Sequence, residues 1–470
     1  MSPANPPEAH GLTGALARCA LSVDAQTLPA DTLAIARHCL LDWFTLVLAS
    51  WQAQPVQQLR QCLAAPQLPP GVATLLGSGE RTGLEAAALV NGLAGHVLDF
   101  DDAHLKSRVH PSVPLWPAIL AWGEHSGASG ADLLAAFVAG VQVQSRLAAH
   151  MGESHYRQGW HNTATLGSFG AAAAVGALCR LDEAAQRHAF GIVATMAGGL
   201  RAVFGTPAKP LQAGRAAANG LFAASLARTG FAAAPSILDG QDGFPSLYAR
   251  QLAEDAAMRQ PGHWCVRDIV FKYHASCYGT QAPIDAARAL APIDRASVAA
   301  VRVYVEPQYL DVCNIQTPRT EPQAKFSVRH TVALALAGRD TAAHASFLPP
   351  ALADPQIAAW RELVSVHGDP ALARANARVE IETRSGERRT SVHDASRPQA
   401  DLQAQQQRLL AKSGVLLQEA GFEGRDVCAL HARLLEIGGC GDFPRWMRDY
   451  RRWLGQARAN RAQDHHQAGA

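Results

Sequence analysis

Between residues 163 and 229 the chain repeats small and apolar residues at helical spacing, in three runs over 163–179, 182–197 and 212–229. Ala171 to Ala174, Ala216 to Ala218, Ala223 and Ala224 fall within them. Side chains this small let helix axes approach closely, and such helices gain stability only by packing on one another. The region therefore predicts a compact helical domain of several layers. Gly230 follows Thr229 as the stop of the third run.

The same period appears upstream. Leu33, Ile35, Cys39, Leu40, Trp43, Phe44 and Val47 mark a helix over 31–50, with Asp31 as its N-cap. Thr82 and Glu85 form a capping-box pattern ahead of a helix from Gly83 to Val97. Further runs cover 114–125 and 131–150. The texture changes near residue 265. Val301, Val303 and Val305 alternate with Arg302 and Tyr304, the period of a half-buried strand. Residues 378–383 and 388–393 flank Ser385–Gly386 as a β-hairpin, and helical patterns at 280–290 and 325–337 lie between the strands. Helical spacing returns from Asp401 through Leu402, Leu409, Leu410, Val415 and Leu416, and again from Asp426 to Leu435. The expected fold is mainly α with a smaller α+β part: a helical domain from 1–265 and 401–470, with 266–400 inserted as an α/β lid. Residues 1–10 and 456–470 read as mobile tails from their composition.

Bulk properties narrow the function. A net charge of +2 in 470 residues supplies no field for nucleic acid or a membrane surface. Nine scattered cysteines without a CxxC pair read as reduced thiols in a cytoplasm, not as a disulfide frame, zinc ribbon or iron–sulfur cluster. The N-terminus has no basic segment followed by an apolar run, so no signal peptide is expected.

Polar chemistry concentrates in Asn91–Glu124, where Asp99, Asp101, Asp102, His96, His104, His110, Lys106 and Arg108 stand between two apolar helical runs. Clustered titratable groups beside apolar walls perturb one another, which favours a site over a capped helix end. Asp and His alone can hold a metal, but the spacing matches no strong metal signature. Pro111 biases His110 out of the helical region and leaves its imidazole on a loop, fit for general acid/base work. In Trp160-His161-Asn162-Thr163, a histidine precedes a helix whose cap would be Asn162 or Thr163. The free N–H groups of that helix start suit a carboxylate. Lys209, ahead of an alanine-rich helix, is a candidate anion anchor. Lys272-Tyr273-His274-Ala275-Ser276-Cys277 lies where the helical and α+β parts meet. Cys277 has no acid–His–Cys order around it to mark a nucleophile.

These blocks together resemble the MmgE/PrpD family. The resemblance rests on NGLAGHVLDFDDAH with HPSVPLWPAILAWGE, GWHNTATLGSFGAAAAVGALCRLD, KPLQAGRAAANGLFAASLARTGF, SILDGQDGF, FKYHASCYGTQAPIDAA and QAKFSVRHTVALALAGRD, in order over residues 10–450. It implies a helical domain made from both chain ends plus a smaller lid, a homodimer, no metal and no cofactor. It also implies a small carboxylic acid as substrate, as for 2-methylcitrate dehydratase, cis-aconitate decarboxylase and iminodisuccinate epimerase. Asp99, His110, His161, Lys209 and Lys272 fall on the family's cleft positions. Two departures stand out. Ala103 occupies a Thr position of the decarboxylase-like pattern, and Ser276–Cys277 through Thr280–Gln281 lacks its histidine. Both argue against cis-aconitate decarboxylation.

The expected activity is a cofactor-independent, dehydratase-type lyase acting at a carbon next to a carboxylate. His110 and His161 form the acid/base pair, Asp99 fixes the tautomer of one of them, and Lys209 meets developing negative charge. Lys272, Asp102, Thr163, His104 and Cys277 are expected around the substrate. An epimerase is the alternative within the family; an Asp/His metal-dependent hydrolase is the alternative outside it.

Overall fold

The computed structural model describes residues 11–64, 71–253 and 262–468. The chain is mainly α and divides into two units, one from Met1–Ile269 with Ala420–Ala470, the other from Val270–Glu419.

The first unit is helical. Its elements include α1 (Leu12–Leu21), α2 (Ala30–Ala49), α3 (Gln54–Ala64), α4 (Leu84–His96), α5 (Ser112–Ser126), α6 (Gly130–Arg157), α7 (Asn162–Leu178), α8 (Glu183–Ala194) and α9 (Ala208–Arg228). Helix α7 is the hub, packed on α5, α6, α8 and α9. It is apolar all round and buried from Asn162 to Gly176, as a central helix must be. The small residues give the packing its closeness. A Cβ on Gly92 would stand 2.6 Å from Gly214 Cα, and one on Gly214 would stand 2.4 Å from the Leu89 carbonyl oxygen. The α4–α9 contact therefore rests backbone against backbone. The end of the chain closes the same unit. The last helix, Phe443–Ala468, places Tyr450, whose hydroxyl donates to Leu76 O at 2.6 Å, and Arg451, which donates to Thr74 Oγ1 at 2.8 Å. Helix α2 is long and apolar enough to cross a membrane by composition, but 78% of that stretch is buried in the fold.

Several local expectations need correction. Asp31 lies inside the first turn of α2, and Pro29 is the N-cap. The Thr82–Glu85 capping box does not form; Gly83 is the N-cap of α4 and Thr82 belongs to a short strand. The last helix runs through most of the stretch read as a tail from 456, while residues 1–10 lie outside the described residues.

The second unit is built on a four-stranded sheet of β1 (Val298–Val305), β2 (Val364–Gly368), β3 (Asn376–Thr383) and β4 (Arg388–Asp394), in spatial order β2-β1-β3-β4. Strands β1 and β2 run parallel; β1–β3 and β3–β4 are antiparallel. The alternation read from the sequence is the core face: Val301, Val303, Val305, Ala377, Val379 and Ile381 are buried. Gly386, at φ 89°, supplies the left-handed residue of the hairpin. Helices Tyr278–Arg288 and Val328–Leu336 cover the sheet. The helix Leu402–Glu419 also belongs to this unit, where Lys412 Nζ donates to Lys272 O at 2.9 Å and Arg408 meets Asp285 at 3.3 Å.

Candidate active site

Helix α4 ends on His96, and the chain then reverses on itself. Asp99 takes a left-handed conformation (φ 51°) and its N–H donates to His96 O at 2.9 Å. Asx side chains tolerate this region better than most, so an aspartate suits the turn. The reversal returns Asp101 to the helix end, where its Oδ1 lies 2.9 Å from His96 Nδ1. A second left-handed residue, Arg108 (φ 52°), closes the next loop, which His104 and Val109 pin by pairing their backbones. His110 then emerges just ahead of α5.

Asp101 is the centre of the cluster. It is fully buried, and His110 Nδ1 stands 3.1 Å from its other oxygen. His110 Nδ1 is also 2.8 Å from the Asp102 carbonyl oxygen, and that carbonyl takes the N–H. His110 Nδ1 thus lies between two oxygens, the Asp102 carbonyl and the Asp101 carboxylate. The His96 and His110 rings lie 4.9 Å apart, and the His96 and His161 rings stack at 6.5 Å. His161 Nδ1 donates to Gln212 Oε1 of α9 at 3.0 Å, and Phe204 meets the ring edge-on at 5.0 Å. Lys209, at the start of α9, donates to Asp99 Oδ1 at 2.8 Å.

The electrostatics follow from burial. Burial opposes ionisation of Asp101, but the two imidazoles outweigh it and hold this carboxyl well below its usual range. Burial likewise lowers His96 against the pull of Asp101. It lowers His161 to about 3, helped by His96 and Lys209 and opposed by Gln212. His161 is therefore neutral near pH 7, with Nδ1–H given to Gln212 and Nε2 left as a lone pair. His96 gives Nδ1–H to Asp101, and its Nε2 is buried without a hydrogen-bond partner among the described residues.

The structure reassigns several sequence-predicted residues. His110, His161, Asp99 and Lys209 do come together. The carboxylate that orients an imidazole is Asp101, however, and Asp99 pairs with Lys209. Asp102 is fully buried, taking Ser112 N–H at 3.2 Å and Ser112 Oγ at 2.6 Å, so it positions the start of α5 rather than a substrate. Burial raises it to about 7 against the Ser112 hydrogen bond, helped by the neighbouring Asp42 and Asp101 charges. Thr163 is also fully buried; its Oγ1 accepts the His110 N–H at 3.1 Å. The expected cap of α7 is neither Asn162 nor Thr163, since His161 itself is the N-cap residue; Asn162 donates instead to Ser107 O at 2.9 Å. His104 belongs to another group, 3.8 Å from Asp268, which also holds Lys106 at 2.9 Å and His263 at 2.7 Å. Lys272 and Cys277 are in the second unit. There Gln281 staples their loop, accepting from Tyr273 and His274 N–H at 3.2 Å and donating to His274 O and Ser276 O. His96, Asp101 and Gln212 were not singled out as site residues. The signal for the first two was their five-residue spacing across a helix end, readable only once the turn at Asp99 is known.

His96, Asp99 and His110 have ligand atoms within 4.8 Å of one another, a spacing that a metal ion could use. An ion there would displace or face the Lys209 ammonium, which already holds Asp99. The residues present fit a salt-bridged anion site better than a cation site.

The MmgE/PrpD N-terminal domain model matches residues 14–254, and the C-terminal domain model matches residues 274–425. The chain belongs to the MmgE/PrpD family. A cis-aconitate decarboxylase-like protein of Aspergillus oryzae is 30% identical over 292 residues, 58% of this chain and 60% of that protein. A cis-aconitate decarboxylase of Aspergillus terreus is 27% identical over 319 residues (63% and 64%). The human cis-aconitate decarboxylase is 32% identical over 263 residues (52% and 53%). Each match spans less than two thirds of the relative's own length.

Proposed function

We propose that this protein is a dehydratase-type lyase that acts on a small di- or tricarboxylic acid by moving a proton at a carbon next to a carboxylate. The observation that carries the proposal is the buried carboxylate of Asp101, set against His96 and His110, with His161 stacked on His96. A proton next to a carboxylate is weakly acidic, and its removal builds negative charge that nearby cations must meet. Lys209 supplies one such charge. His110, held by Asp102 O and Thr163, presents its other nitrogen as the acid or base. His161, neutral and fixed by Gln212, offers a lone pair. A polyanionic substrate opposes the lowering of its proton affinity and equips it to carry a proton during turnover.

The names of the relatives support a lyase on such an acid. Ala103, which is buried, puts a methyl where the decarboxylase-like pattern has a hydroxyl, and this counts against loss of CO2 from cis-aconitate. The test is product identification with 2-methylcitrate, citrate and cis-aconitate. A new carbon–carbon double bond from a hydroxy acid is the expected result. Stoichiometric CO2 from cis-aconitate would overturn the choice of dehydration, and turnover of none of these acids would overturn the substrate class. In the active reaction, His110→Ala should lower kcat far more than it changes KM.

A further inference from the structure

Cys277 and Cys313 stand 36 positions apart in sequence and meet inside the second unit. Cys277 is the N-cap residue of the eleven-residue helix Tyr278–Arg288. Cys313 follows a short helical turn, Tyr309–Val312, and its Sγ–H donates to Tyr309 O at 3.6 Å. Both backbones are anchored to the same short segment: Cys277 N–H donates to Lys325 O at 2.9 Å, and Val328 N–H donates to Cys313 O at 2.9 Å. The Cys313 sulfur sits over the first turn of the Cys277 helix, where a Cβ added at Gly279 would stand 2.9 Å from it. Gly279 is two residues from Cys277, so the fold brings the Cys313 sulfur to the turn that Cys277 opens. Their exposures differ in a useful way: Cys313 is fully buried, whereas Cys277 is partly exposed.

We infer that Cys277 and Cys313 are a redox-modification site, in which peroxide oxidises Cys277 and Cys313 resolves it as an intramolecular disulfide. The Cys277 thiol gives up its proton and the thiolate attacks one peroxide oxygen; an S–O bond forms, the O–O bond breaks, and the departing hydroxide takes up that proton as water, giving the sulfenic acid. The Cys313 sulfur then attacks the Cys277 sulfur; the S–S bond forms, the S–O bond breaks and the hydroxide leaves as water with the Cys313 proton. Two thiols lose two electrons to one peroxide, and two waters result. A partly exposed attacking residue with a buried resolving partner fits this order, because the oxidant reaches the first more readily than the second.

The test uses the full-length protein and does not depend on its activity. The protein is treated with hydrogen peroxide, free thiols are alkylated under denaturing conditions, and the digest is read by mass spectrometry. The expected product is a peptide pair joined through Cys277 and Cys313, lost on reduction, with two of the nine thiols no longer alkylated there. Cys313→Ser should abolish the cross-link and leave Cys277 trapped as the sulfenic acid by dimedone. Alkylation of both residues at the untreated level, or a disulfide from Cys277 to another cysteine, overturns the inference. So does unchanged cross-linking of Cys277 in Cys313→Ser.

Discussion

At the scale of single residues, Asp101 is the carboxylate that orients an imidazole, that of His96. Asp101→Asn keeps the shape of the side chain and removes its charge. It should lower kcat by about 10²–10⁴-fold with little change in KM, because the carboxylate charge beside His110 and the hydrogen-bond acceptor that fixes His96 are both changed. Steady-state kinetics on the active substrate would check this, and near-normal turnover would move the role elsewhere. The same cluster predicts opposing pH effects on stability. His161 is lowered to about 3 in the fold, against about 6.5 when unfolded, so its contribution is present above the unfolded value and fades as pH falls toward the folded one. Asp102 is raised to about 7 from about 3.9, so its contribution is full below the unfolded value and is lost as pH rises through 7. In urea unfolding, His161→Gln should gain stability relative to wild type at pH 5, and Asp102→Asn should gain at pH 8. Both variants following the wild-type pH slope would contradict these assignments. Neither effect was legible in the sequence, which shows Asp102 in an acidic run but not that Cys39, Asp42 and Ser112 enclose it.

At the scale of elements, helix identity was well written and helix ends were not. The runs read at 163–179, 182–197 and 212–229 are α7, α8 and α9, because an apolar period of 3.6 survives any context that buries the helix. Caps depend on the one or two residues where the chain turns, and tertiary contacts decide those. Thr82 is drawn into a strand with Ala73, so it cannot cap α4. The close α4–α9 crossing makes a sharp prediction. Gly214→Ala would place a methyl 2.4 Å from a backbone oxygen, with no flexible side chain to yield. It should destabilise the protein by about 1–3 kcal/mol and shift Lys209, on the same helix, from its pairing with Asp99. Gly414→Ala, in a helix interior with nothing within 4 Å, is the control and should be neutral or stabilise by up to about 1 kcal/mol. Thermal unfolding of the two variants separates them; equal effects would argue against a rigid crossing.

At the scale of the whole molecule, the sequence carried the helical character, the change of texture after residue 265 and the gathering of His110, His161, Asp99 and Lys209. It did not carry the central role of Asp101, because that depends on a left-handed turn at a single aspartate. The Lys209–Asp99 pair also gives a prediction about metals. Prolonged dialysis against a chelator should leave the rate unchanged, and adding a divalent ion should not raise it; a rate that collapses and returns with the ion would place a cation on His96, Asp99 and His110. The central claim, that this cluster moves a proton at carbon, is tested most directly by proton NMR in D2O. Wild-type protein with its active carboxylic acid should put deuterium on, or remove the proton from, the carbon next to a carboxylate, and His110→Ala should slow that exchange by about 10²-fold or more. Exchange that proceeds equally in wild type and His110→Ala, or product formed with no change at that carbon, would contradict the account.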